Sequence, residues 1–169
     1  MGLAENALVG TWFGQQVSLR PEAAWTLRKG LEGYASIAAA RAQGHAPERE
    51  QGINGLLNDY DEARTQAVEK PLSEMRLTDP WEQRRIGAAK APLFFLALED
   101  ECGPEVLRRG IANLAGNLRG EDVGWTDLRA ALEAETGKNL AGFFRGWLDR
   151  IGIPGGFYSR HRRKTANGN

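Results

Sequence analysis

Apolar residues recur at three- and four-residue intervals through most of this chain, and the alternation that marks strands is hard to find. The spacing predicts a first helix over about Leu3–Phe13. Gly14-Gln-Gln-Val-Ser18 then reads as a turn or one short extended piece. A second helix starts near Pro21, where the missing N–H of proline costs nothing, and stops by Gly44-His45-Ala46-Pro47. A third covers about Glu48 to Val68 and is limited by Pro71. Leu72 to Asp79 reads as a loop, and Asp79-Pro80-Trp81 as a cap into a fourth helix that ends at Cys102. Pro92 is expected to kink that helix, because it removes one backbone bond. Gly103-Pro104 restarts the chain into a helix from Glu105 to Leu118. The turn Gly120–Gly124 leads to Thr126, a good N-cap for Asp127 to Glu135, and Asn139 caps a last helix to about Arg150. The pattern predicts an all-α fold of about seven helices: one domain over residues 1–158, then a basic disordered tail over 159–169.

Composition narrows the class. A chain of 169 residues with 41% hydrophobic content suits one domain with a real core. Lys plus Arg and Asp plus Glu both count 22, so no overall field favours nucleic acid or an anionic membrane. The run Arg160-His161-Arg162-Arg163-Lys164 reads as solvated tail rather than as a site for RNA or lipid headgroups. Cys102 stands alone and reads as a small core residue, without a disulfide or a cysteine metal cluster. No run approaches the ~18 apolar residues of a membrane span, and no signal peptide is visible, which would suit the cytoplasm if this is the complete chain. Trp12, Trp25, Trp81, Trp125 and Trp147 each have apolar neighbours at helical spacing and read as core anchors. Glu99-Asp100-Glu101 fans around a helix and reads as a solvated face.

The most informative stretch is Asn6-Ala-Leu-Val-Gly10-Thr-Trp12-Phe13-Gly14, followed by Lys29-Gly30. It resembles the zinc-site stretch of the M1 family of aminopeptidases, in which His-Glu-x-x-His-x-Trp-Phe-Gly precedes the Glu-Gly carrying the third zinc ligand. Trp12-Phe13-Gly14 fixes the alignment, and Gly10 to Lys29 matches the family's spacing from second His to Glu. Farther on, Arg84-Arg85-Ile86-Gly87-Ala88 is similar to the family's Tyr-x-Lys-Gly-Ala. Trp125-Thr126-Asp127-Leu128, Leu132-Glu133, Thr136-Gly137, Phe143-Phe144-x-x-Trp147 and Gly152-Ile153-Pro154 resemble its ending. The match covers roughly residues 5–158. It implies the helical half of a thermolysin-like catalytic domain, either cut from a longer protein or a natural remnant.

The same resemblance implies that the chemistry is missing. Two histidines four apart on a helix can reach one zinc, and a Glu beside the first takes the proton of the zinc-bound water. Asn6 and Gly10 stand where the histidines belong, Ala7 at the general base, Lys29 at the third ligand and Arg84 at the oxyanion tyrosine. The two histidines of the sequence, His45 and His161, fall in a loop and the tail and read as exposed. The implied protein has no catalytic residue, metal or cofactor and serves as a structural or protein-interaction module. Its partners would be other parts of its own polypeptide, another protein or a second copy, with no nucleic acid and no membrane span. The alternative is non-hydrolytic binding of a peptide or small anion, with Lys29 and Arg84 making the vestigial cleft electropositive. In either case the face freed by the missing half should be apolar.

Overall fold

A computed structural model of the chain describes residues 18–43, 46–117 and 122–166. The helix expected over Leu3–Phe13 lies outside the described residues, as do Asn6, Ala7, Gly10, Trp12 and His45. The described residues form an all-α domain of seven helices: α1 Pro21–Ala42, α2 Ala46–Gln66, α3 Trp81–Cys102, α4 Pro104–Asn117, α5 Trp125–Thr136, α6 Ala141–Leu148 and α7 Gly155–Ala166. Two short strands, β1 Ser18–Leu19 and β2 Asp122–Val123, pair in parallel with Ser18 opposite Asp122. This small ladder joins the entrance of α1 to that of α5, and the Arg20 N–H extends it to the Val123 carbonyl at 2.9 Å.

α3 is the axis of the fold. Every residue from Ala89 to Glu99 is buried, and a helix covered on all sides belongs inside a bundle. α1 and α2 flank it. Gly30 and Gly33 let α1 come close: a Cβ on Gly30 would lie 2.6 Å from the Phe95 ring, and one on Gly33 would strike the ring of Pro92. α3 runs unbroken through Pro92, and Gly33 leaves the room that the proline ring occupies. Phe94 sits at the centre of an aromatic cluster, edge-on to Trp125 and Phe144 at 5.2 Å each and to Trp147 at 6.3 Å. These contacts fasten α5 and α6 to the axis.

Four expectations are corrected. Residues 159–166 are not a disordered tail, because α7 runs from Gly155 to Ala166 and its His161 is 3% exposed. Polar bonds dock α7 on α2: Tyr158 Oη donates to Asp61 at 2.7 Å, Arg162 to Asn58 at 2.6 Å, and His161 Nδ1 lies 3.2 Å from Glu50. Thr126 does not cap α5, which starts one residue earlier, after Gly124. There the Asp127 carboxylate accepts the Gly124 N–H at 2.8 Å. Trp81 is no core anchor, being 63% exposed. Glu99 is buried and accepts the Tyr34 hydroxyl at 2.6 Å, so the acidic run is not a plain solvated face.

Candidate functional surfaces

Of the five residues that the resemblance singles out, Lys29 and Arg84 are described. The Lys29 ammonium donates to Glu32 at 3.0 Å on the exposed side of α1. The Arg84 guanidinium lies 5.5 Å over the Trp81 ring, and its Nε is buried without a hydrogen-bond partner. Neither lines the two clefts described below. Among the described residues no group of three His, Cys, Asp or Glu side chains is placed to hold a metal ion.

A buried ionic hub, which the sequence reading missed, lies where α2 ends beside α3. Glu69 follows α2, and both its carboxylate and the Lys90 ammonium of α3 are almost entirely enclosed. Glu69 Oε1 accepts Lys90 Nζ at 3.1 Å and the Gly152 N–H at 2.9 Å. Its Oε2 accepts the Tyr60 hydroxyl at 2.8 Å and meets Arg64 Nε at 3.2 Å. Lys90 also donates to the Arg150 carbonyl at 2.8 Å. Burial raises the Tyr60 phenol pKa far above its ordinary value, and the bond to Glu69 adds to the rise. Burial pulls the Lys90 ammonium down, opposed by Glu69. The Glu69 carboxylate accepts three hydrogen bonds, from Lys90, Gly152 and Tyr60, and has the Arg64 guanidinium beside it, so its acceptor capacity is largely committed within the fold. The hub therefore works as a latch, holding the α6–α7 connection against α2 and α3.

The large exposed apolar side chains of the described structure are Val68, Leu77, Trp81 and Ile151. Val68 and Ile151 are chain neighbours of Glu69 and Gly152, which are bonded to each other. The Val68 carbonyl accepts from Gln83, two residues past Trp81, at 3.3 Å. Leu77 lies in a turn closed by the Arg76 N–H on Asp79 at 2.6 Å, and Asp79 in turn binds Lys70 at 2.6 Å. All four side chains thus belong to one end of the α2–α3 pair.

Two clefts open among the described residues. One, of about 250 Å³, is flanked by Arg20, Arg129 and Arg145 but also by Glu22 and Asp149. Arg20 is already bound to Asp127 at 3.3 Å and to the Asp122 carbonyl at 3.1 Å. The other, of about 520 Å³, lies between α3, α6 and α7. Cys102 is half-buried, and burial pushes its thiol pKa up, the opposite of what a nucleophile needs. No described helix is long and apolar enough to cross a membrane.

Comparison with models of known protein families returns no match. Comparison with curated proteins likewise returns none.

Proposed function

We propose that this chain is a non-catalytic helical module that docks onto protein through the end bearing Val68, Leu77, Trp81 and Ile151. The occupant is a second copy of the chain. The observation that carries this reading is the gathering of the large exposed apolar side chains at one end, with Trp81 63% exposed. Scattered apolar residues are normal on a surface, whereas a gathered set marks a contact face. A tryptophan is a strong interface anchor, and Arg84 braces this one from behind. A two-fold contact would bury the same face twice.

The resemblance to M1 aminopeptidases belongs to the proposal and rests on the order and spacing of sequence motifs. In that reading the chain retains the helical half of a thermolysin-like domain, and Asn6, Ala7, Gly10, Lys29 and Arg84 mark the lost zinc site. The alternative, an anion held by Lys29 and Arg84, would require Lys29 to leave Glu32.

Sedimentation equilibrium tests the docking reading. Wild type should dimerise, and the double variant Trp81→Glu, Ile151→Glu should weaken the dimer by at least about tenfold. A strict monomer at every concentration would sink the docking claim. Stoichiometric zinc by elemental analysis, together with hydrolysis of aminoacyl-anilides, would sink the non-catalytic claim.

A further inference from the structure

α7 is held to the bundle mainly by charge. It carries Arg160, His161, Arg162, Arg163 and Lys164 and no acidic residue. The surface beneath it is acidic. Arg162 pairs with Asp61 of α2, His161 Nδ1 lies 3.2 Å from Glu50 of α2, and Arg160 approaches Asp100 of α3 to 4.0 Å. Tyr158 Oη donates to the same Asp61 carboxylate. Among the described side chains of α7, the one large apolar group that is buried is Phe157, edge-on to Trp147 at 5.3 Å. α3, by contrast, is enclosed at every residue from Ala89 to Glu99.

The charge pairs of α7 lie within reach of solvent. Side-chain exposure is 30% and 37% for Arg162 and Asp61, and 61% and 33% for Arg160 and Asp100. Pairs exposed to this degree each contribute little and are screened by salt. Departure of α7 would also leave few charges stranded. Arg49 already lies 3.7 Å from Glu50 and 3.5 Å from Asp100, so both carboxylates keep a cation. Asp61, already partly exposed, would take water in place of Arg162.

The connection permits such a movement. The chain is fixed at Arg150 and Gly152 by their bonds to Lys90 and Glu69. Beyond that point α7 begins with Gly155-Gly156, both exposed, where an added Cβ would meet nothing within 4 Å. No packing among the described residues demands glycine there, and the pair gives the first turn a backbone freedom that other residues lack.

We propose that α7 is a salt-sensitive strap: it leaves α2 and α3 as a unit while the remaining helices stay folded, and ionic strength sets how often it does so. Opening of a weakly packed element below the global unfolding transition is a general property of folded chains. The opening lifts Phe157 from Trp147 and uncovers the groove of about 520 Å³ that Phe143, Trp147 and Phe157 line together with Gly142 and Gly146. A helix of 12 residues has little stability alone, so the strap loses its helical hydrogen bonds when it undocks.

Hydrogen exchange of the full chain tests this, read by mass spectrometry on peptides from α7 and α3 at about 0.1 M and about 1 M NaCl, where screening differs most. The amides of α7 should exchange faster than those of α3 in low salt. In high salt they should quicken by at least about tenfold more, with α3 unmoved. Asp61→Asn keeps an acceptor for Tyr158 but removes the charge that faces Arg162, so it should quicken α7 in low salt and flatten its response to salt. Exchange of α7 in step with α3 would overturn the proposal, and so would α7 rates that ignore salt. A salt response in Asp61→Asn as steep as that of wild type would overturn it too, because the charge pairs would then not be what holds the strap.

Discussion

Lys90 Nζ lies 3.1 Å from Glu69 Oε1, with 0% and 4% of the two side chains exposed. Neither charge has water to fall back on, so each depends on the other and on the backbone groups of Arg150 and Gly152. Removing one partner from such a pair leaves an uncompensated buried charge and costs about 3–5 kcal/mol. Lys90→Met should fall in that range, and Glu69→Leu should be comparably damaging. The double variant should cost less than the sum, by a coupling of about 1–3 kcal/mol. Urea unfolding followed by circular dichroism supplies the cycle, and additive costs would show that the pair is not coupled.

Asp79 gives the fold an acid limit. Burial pushes its carboxyl pKa up, but hydrogen bonds from the Lys70 ammonium and the Arg76 N–H outweigh that, and the net position is below the ordinary carboxylate value. A folded pKa below the unfolded one means that the ionised form favours folding. The contribution is present above the unfolded pKa of about 3.9 and is lost as pH falls through the folded value. Urea midpoints measured down an acid series should therefore fall less steeply for Asp79→Asn than for wild type. Parallel curves would show that Asp79 contributes nothing to the acid limit.

Tyr60 acts at the other end of the scale. Burial first, and then the bond to Glu69, holds the phenol protonated well above its ordinary range. A raised folded pKa contributes stability in full below the unfolded value of about 10. That contribution is lost as pH rises toward the folded value. Tyr60→Phe should remove this alkaline loss, while costing about 1 kcal/mol near neutrality for the lost hydrogen bond. Ultraviolet titration should also lose one late tyrosinate step, which in wild type coincides with unfolding. If all tyrosines of the folded wild type ionise together in the ordinary range, the placement of Tyr60 in the hub is wrong.

Local signals carried the helices and tertiary ones did not. Pro21 and Gly103-Pro104 punctuate the chain, and the ends of α1, α3 and α4 fall within two residues of where the pattern puts them. The start of α6 was legible to within one residue: Leu140, not Asn139, is the N-cap, and Asn139 Oδ1 accepts the Ala141 N–H at 3.0 Å from just before it. α7 was missed because Gly155-Gly156 and a basic run look like a tail. What holds it are Asp61, Asn58 and Glu50, about a hundred residues away on α2. Nothing local links Glu69 to Lys90 or Gly152, so the latch was invisible, and the exposure of Trp81 follows from its place at the open end of α3. The pairing of Lys29 with Glu32 could be read, because residues three apart share a helix face. The aromatic groove left one trace, the glycines in a helix of only eight residues, Ala141–Leu148.

The two kinds of helical glycine predict opposite outcomes for one substitution. At Gly33 an added methyl group would collide with the Pro92 ring, inside the tight contact of α1 with α3. Neither helix can give way easily, because α3 is buried over its whole middle. Overpacking of this kind costs about 1–3 kcal/mol, which outweighs any gain from alanine's better helix propensity, so Gly33→Ala should lower the melting temperature. At Gly146 the same methyl group would meet nothing within 4 Å. Only the propensity term acts there, and Gly146→Ala should raise stability by up to about 1 kcal/mol. Thermal unfolding of the two single variants beside wild type decides the matter. A destabilising Gly146→Ala would mean that the groove is occupied by the protein itself, and a neutral Gly33→Ala would mean that α1 and α3 are not in close contact.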